Sequence, residues 1–321
     1  MTLEVQRMVL ATDFSPGARA ALEHAIAIAA RFGARLYLFH SVEVREKGDA
    51  DAPHDPARVD DFYELAERRA REELEALRGR LEGAPATPVS IVECVRIGVP
   101  ADEIVAFAEE KGADLIVVGT HGRTGLKRVL VGSVAESVVR RAPCPVLAVR
   151  VTDEEEAQGV VTGKRVALDR IVCAIDSSDS SRAALRAADE LARRFGAGLV
   201  AANVVDDYAL AQAATLSQLD SVAIENRLLE IARASLDRCV VETLGAERAR
   251  EVKRTVEVGR PAESIAHVAT IESAGLVCCG THGRSGLSRA LFGSVAERIL
   301  RVAPCPVLTV REGRAAARLA A

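Results

Sequence analysis

The sequence predicts an α/β fold built twice: two tandem, open, five-stranded parallel sheets flanked by helices. Three observations predict it. Short apolar runs alternate with amphipathic stretches of helical period, the pattern of βαβ crossovers and a parallel sheet. Aromatics make up only 3% of the 321 residues against 49% apolar residues overall, so Ala, Val, Leu and Ile must pack the core, which suits helices laid on such a sheet. Finally, residues 119–150 align without gaps to 280–311 with 23 of 32 positions identical. The earlier stretches LATDFSPGARAALEHAIAIAARFGARL and CAIDSSDSSRAALRAADELARRFGAGL match as well.

Two copies of about 150 residues make two domains rather than a solenoid. We place the first at 1–152, a linker at 153–166 and the second at 167–313. The stretch VTDEEEAQGVVTGK (151–164), which overlaps this linker, is polar, acidic at its start and without a helical stripe.

The elements of the first copy follow in order. RMVLAT (7–12) is a short apolar strand. Ser15 and Pro16 then open a helix that stops at Gly33. RLYLFHSV (35–42) is a second strand, and a charged stretch over 43–58 follows, with Gly48, Pro53 and Pro56. Residues 59–81 are amphipathic and rich in Glu and Arg, a helix. A strand at 89–95, a helix at 100–111 and a strand at 114–119 come next, then a glycine-punctuated loop, a helix from Ser133 and a strand at 145–150. The second copy repeats this from about residue 169 to 311, with a middle region of different sequence.

The loop carries the least generic signal. GTHGRTGLKRVLVGS (119–133) returns as GTHGRSGLSRALFGS (280–294), each with Gly-x-x-Gly, nine residues, then Gly-Ser. In an open parallel sheet, ligands bind beyond the carboxyl ends of the strands where the order reverses. With five strands in the order 3-2-1-4-5, that point lies between strands 1 and 4. Those strands are followed by ATDFS and GTHG in one copy, and by AIDSS and GTHG in the other.

Phosphate is the chemistry that fits. Gly119 and Gly122, with Gly280 and Gly283, would let a ligand approach the main chain. Gly132-Ser133 and Gly293-Ser294 would open a helix whose first N–H groups and dipole favour an anion. Arg123, Arg128, Arg284 and Arg289 could balance its charge. Asp13 and Asp176, just beyond strand 1, could accept from ribose hydroxyls or an adenine amino group, or hold a metal through phosphate. Each has a purely structural alternative: Ser133-Val-Ala-Glu136 and Ser294-Val-Ala-Glu297 also read as capping boxes, and Asp13 also reads as a turn residue.

Other chemistries are excluded. The loop ends in Gly-Ser without the lysine of a Walker motif, and the first turn lacks the GxGxxG dinucleotide fingerprint. There is no G-x-S-x-G elbow and no evident general base beside an activated nucleophile. His121 and His282 repeat at one loop position without further ligands near them in sequence, so they read as loop-shaping or phosphate-adjacent, with no metal site assigned. Seven cysteines without a CxxC pair read as reduced core thiols, Cys144, Cys305, Cys278 and Cys279 included. A net charge of −4 and a sequence pI near 6.0 give no basis for nucleic-acid binding. No signal pattern or membrane-length apolar run is read, so a cytoplasmic protein is expected.

Ala-x-Asp near the N-terminus, Gly-x-x-Gly, nine residues, Gly-Ser, and a Pro-Val-Leu-x-Val strand together resemble the universal stress protein family, in both copies and over nearly the whole chain. The resemblance implies a Rossmann-like, adenine nucleotide alpha hydrolase-like fold of 3-2-1-4-5 order. It also implies dimer-like pairing of domains through their last strands, here within one chain, and allows a further homodimer. Members with this glycine pattern typically bind ATP. Carried over by position, the first site would use Ala11, Asp13, Ser41, Val118, Gly119, His121, Gly122, Gly132, Ser133 and Val134, with Arg123 beside them. The second would use Ala174, Asp176, Val204, Cys279, Gly280, His282, Gly283, Gly293, Ser294 and Val295, with Arg284. Ser41 stands where the adenine-side residue is commonly apolar.

The resulting expectation is an adenine-nucleotide binder, ATP above all and with or without Mg2+, acting in stress response or signalling with little or slow turnover. A slow ATPase or phosphotransfer enzyme is one alternative. The other is a nucleotide-independent scaffold that meets an unidentified protein partner through 43–58 and 206–216.

Overall fold

The computed structural model describes residues 3–43, 56–82, 89–120, 132–150, 166, 168–217, 221–281 and 292–311. The chain divides into two compact units, one from each half. In the first, β1 (Arg7–Ala11), α1 (Pro16–Phe32), β2 (Arg35–Glu43), α2 (Pro56–Glu82), β3 (Ser90–Gly98), α3 (Pro100–Lys111), β4 (Leu115–Gly119), α4 (Ser133–Arg141) and β5 (Val146–Val149) follow one another. All pairings are parallel and give the order β3-β2-β1-β4-β5. Helices flank the sheet, so β1 is covered on both faces and its Met8, Val9 and Leu10 are fully buried.

Local chemistry sets the helix ends. Ser15 caps α1 by accepting from the Ala18 N–H at 3.2 Å, Pro16 follows in the first turn, and Gly33 closes the helix at φ 67°. Pro100 and Gly112 bound α3 in the same way, with Gly112 at φ 61°. The core of this unit centres on Phe107, whose ring meets Tyr37 edge-on at 5.6 Å and Phe39 at 4.8 Å.

The third strand is longer than the sequence predicts. It runs to Gly98 and pairs with β2 along its whole length, from Arg35 opposite Ser90 to Glu43 opposite Gly98. Arg96 broke the apolar pattern, yet this strand is at the sheet margin. There its guanidinium pairs with Glu103 and Glu110 and lies 5.0 Å from the Phe107 ring. Helix α2 likewise begins at Pro56, earlier than expected.

The second unit holds β6 (Arg170–Ala174), α5 (Asp179–Phe195), β7 (Gly198–Asp206), α6 (Asp207–Ser217), α7 (Ser221–Leu244), α8 (Ala246–Ala249), β8 (Lys253–Gly259), α9 (Pro261–Ile271), β9 (Leu276–Gly280), α10 (Ser294–Val302) and β10 (Val307–Val310). Its parallel order is β8-β7-β6-β9-β10. Buried Glu272 ties the base of this sheet together, reaching Arg170 of β6 and Lys253 of β8, each at 2.5 Å.

Candidate functional site

In both units the described residues singled out at the ends of strands 1 and 4 come to the same end of the sheet. Ala11 ends β1 directly opposite Phe39 of β2 and Val118 of β4. In the second unit Cys173 stands opposite Cys278, and Ala174 and Cys279 are the next residues along those strands. Val118 and Cys279 are buried, whereas Ala11 and Ala174 are partly open.

The chain then turns sharply into the helix. Asp13 Oδ1 accepts the Ser15 N–H at 3.0 Å, and Asp176 Oδ1 accepts the Ser178 N–H at 3.0 Å and the Ser178 hydroxyl at 2.5 Å. These are Asx turns, so the structural alternative for both aspartates is real. The residue that follows is left-handed in each copy, Phe14 at φ 65° and Ser177 at φ 66°, a region that side-chain-bearing residues seldom adopt. Strain of this kind gathers at sites where surrounding structure over-determines the backbone.

Strand 4 lies against the first turn of that helix. A Cβ on Gly119 would come within 2.6 Å of the Gly17 carbonyl carbon, and one on Gly280 within 2.7 Å of the Ser180 carbonyl carbon. Chain packing alone therefore requires these two glycines. One residue on, the Thr120 carbonyl accepts the Gly132 N–H at 2.7 Å, and the Thr281 carbonyl accepts the Gly293 N–H at 2.8 Å. This bond closes the base of the glycine loop and delivers the chain to the start of α4 or α10. His121, Gly122, Arg123, His282, Gly283 and Arg284 lie outside the described residues, as do Arg128 and Arg289.

The helix that follows starts at Ser133 and at Ser294, as the sequence predicts, and decides against the alternative reading of its first turn. The capping boxes that were the structural alternative at Ser133 and Ser294 do not form. Gly132 and Gly293 are the caps and make no side-chain capping bond, and each serine is the first helical residue. Glu136 and Glu297 pair forward with Arg140 and Arg301, at 2.7 and 2.6 Å, rather than backward to a cap. The Thr120 and Thr281 carbonyls hold the chain one residue earlier than the serine, which fixes this register. Ser133, Val134, Ser294 and Val295 are all exposed, and the first N–H groups of an α-helix have no intrahelical acceptor.

The flanking positions differ between units. The Ser41 hydroxyl donates to the Gly98 carbonyl at 3.1 Å, tying β2 to the end of β3, where the second unit has Val204. Two buried residues that sequence reading passed over stand beside these, His40 and Asn203, each bonded to the carbonyl of the residue preceding the aspartate. The only signal for them was a polar residue inside an apolar strand.

All seven cysteines are free thiols. Cys278 and Cys279 are buried as expected, but Cys144 and Cys305 are only partly so, because each lies in the turn before the last strand rather than within it. Burial pushes the thiols of Cys279 and Cys305 up to about 12, and those of Cys173 and Cys278 well above the usual range. Among the described residues no group of three or more His, Cys, Asp or Glu side chains is placed to hold a metal ion, and no helix is long and apolar enough to cross a membrane.

A doubly wound α/β sheet, present twice, with an acidic turn and a glycine-bounded loop at the same edge, is the class of protein defined by these features. The model of the universal stress protein family matches residues 4–150 and again 167–311, and the chain belongs to that family as a tandem, two-domain member. It is 42% identical over 151 residues to the universal stress protein MJ0531 of Methanocaldococcus jannaschii, covering 47% of this chain and 85% of the relative. It is 34% identical over 217 residues to the universal stress protein Rv2005c of Mycobacterium tuberculosis, 66% of either chain. The crystal structure of a universal stress protein from Archaeoglobus fulgidus has the same fold, with a TM-score of 0.65 at 23% identity over 96% of this chain and 98% of that one.

Proposed function

We propose that each unit binds an adenine nucleotide, ATP above all, between the strand-1 turn and the glycine loop, as a structural or signalling ligand with little or slow turnover. One observation carries the reading. In both units a carboxylate turn and the exposed start of a glycine-capped helix share the sheet edge where the strand order reverses. A helix start whose cap offers no side chain suits a phosphate. The N–H groups of Ser133 and Val134, or of Ser294 and Val295, with the serine hydroxyls, would hold it. Gly122, Arg123, Gly283 and Arg284 would complete the phosphate side. Asp13 or Asp176 would accept from the ribose, or hold Mg2+ through phosphate. Ala11, Ser41 and Val118, or Ala174, Val204 and Cys279, would line the base. Bound nucleotide would stabilise its own unit by mass action. Seven free thiols support a cytoplasmic setting.

A nucleotide-independent scaffold is the second reading. It is favoured by Gly119 and Gly280, which packing requires whether or not a ligand binds. Purification without added nucleotide, denaturation and chromatography of what is released separates the two. Adenine nucleotide near two per chain supports both sites, and one per chain supports a single competent unit. None, with no binding of added ATP and Mg2+, leaves the scaffold. Steady-state phosphate release well above background would instead make the protein an ATPase.

A further inference from the structure

The first two strands of each unit are joined by one bond beyond the regular ladder. The Thr12 N–H donates to the Phe39 carbonyl at 2.9 Å, and the Ile175 N–H to the Ala202 carbonyl at 2.8 Å, one residue past the end of β1 and of β6. There the chain leaves the sheet. The carbonyls of Thr12 and Ile175 are met by a side chain from the neighbouring strand. His40 Nδ1 lies 2.7 Å from the Thr12 oxygen, and Asn203 Nδ2 donates to the Ile175 oxygen at 2.6 Å. A carbonyl only accepts, so His40 carries a proton on Nδ1. Both side chains are buried, at 9% and 8% exposure.

His40 and Asn203 each sit sixth in a nine-residue strand and 28 residues beyond the carbonyl they meet. An imidazole and an amide thus deliver one donor to one place. The two units share the bond and not the residue. The acceptor belongs to the peptide joining Thr12 to Asp13, or Ile175 to Asp176. Holding that oxygen fixes the peptide plane from which the carboxylate departs, immediately before the left-handed Phe14 or Ser177. In the first unit His40 also supports the far side of the turn, with the Phe14 ring 4.8 Å from its own.

We propose that His40 and Asn203 are positioning residues that aim the carboxylates of Asp13 and Asp176 at the nucleotide. This rests on the nucleotide reading above. The test is calorimetric ATP binding, with Mg2+, to the full chain carrying His40→Leu, Asn203→Leu or His40→Asn. Each leucine variant should weaken one of the two sites about tenfold, because a buried acceptor is left unpaired and the turn is released, while the other site keeps its affinity. His40→Asn should restore the first site, since an amide already does this work in the second unit. Leucine variants that bind as the parent does at both sites overturn the proposal and leave the nucleotide reading standing. A parent that binds no ATP overturns that reading instead, and amide exchange then decides on the positioning role. The Phe14 and Ser15 N–H groups, which donate to Thr12 Oγ1 and Asp13 Oδ1, should exchange about tenfold faster in His40→Leu and recover in His40→Asn. Unchanged exchange overturns the proposal. Asn203→Leu, close to isosteric, supplies the same comparison at Ser178 where His40→Leu does not fold.

Discussion

Gly119, the last residue of β4, rests on the backbone of Gly17 in the first turn of α1, with no room for a methyl group between them. The equivalent contact joins Gly280 to Ser180. Gly119→Ala should therefore push β4 and α1 apart and destabilise the first unit by about 1–3 kcal/mol, the usual cost of overpacking. For a unit of this size that lowers its melting temperature by several degrees. Calorimetric melting of the variant against the parent checks it. An unchanged melting profile would show that the turn relaxes freely and that this glycine serves something else.

The observed turn bond of Asp13 can be separated from the ligand role proposed for it. Asparagine keeps an Oδ1 that can accept the Ser15 N–H but removes the charge. Asp13→Asn should stay within about 0.5 kcal/mol of the parent in stability, whereas Asp13→Ala should lose about 1 kcal/mol or more with the turn bond. Both should weaken ATP binding at the first site. Normal affinity in Asp13→Asn would reduce the residue to its turn role.

Glu272 gives the second unit an acid limit. Its hydrogen bonds to Lys253 and then Arg170 hold the carboxyl below its usual value of 4.5 against the opposing effect of burial. A lowered folded-state pKa contributes stability that is complete above the unfolded value and lost as pH falls through the folded one. Urea unfolding should show the second unit weakening below about pH 4.5. Glu272→Gln should flatten that dependence and cost roughly 1–2 kcal/mol at neutral pH. An equally steep acid slope in the variant would place the sensitivity elsewhere.

Two thiols shielded from water set an alkaline limit of opposite sign. Cys279 and Cys305 titrate near 12 in the folded chain against an ordinary 9.0, so their contribution is full below pH 9 and declines above it. Each thiol adds about 1.4 kcal/mol per pH unit to the decline across that window. Cys279→Ala should remove one such increment between pH 9 and 11, measured by urea unfolding. An unaltered slope would mean that this thiol does not remain protonated in the fold.

Much of this molecule was legible in the sequence, and the exceptions share a cause. Ser15, Pro16 and Gly33 mark their helix because capping depends on a few adjacent residues. The duplicated loop motif fixed which strand ends to inspect. What failed needed distant partners. Arg96 broke an apolar pattern, and only Glu110 and Phe107 on another element explain why the strand continues. The choice of Gly132 over Ser133 as the helix cap, left open in the sequence, goes with the bond to the Thr120 carbonyl across the loop. The packing reason for Gly119 lies on a helix far earlier in the chain. His40 and Asn203 acquire meaning only from the register of strand 2 against strand 1.

The bond from Gly132 to Thr120, and its twin from Gly293 to Thr281, gives the glycine loop a further property. In each half one backbone bond joins the residue after strand 4 to the residue that caps the next helix. The inserted stretch has the same number of residues in both halves. A stretch exchanged between the halves would therefore begin and end on the same pair of bonded residues, and the strands and helices on either side would keep their anchors.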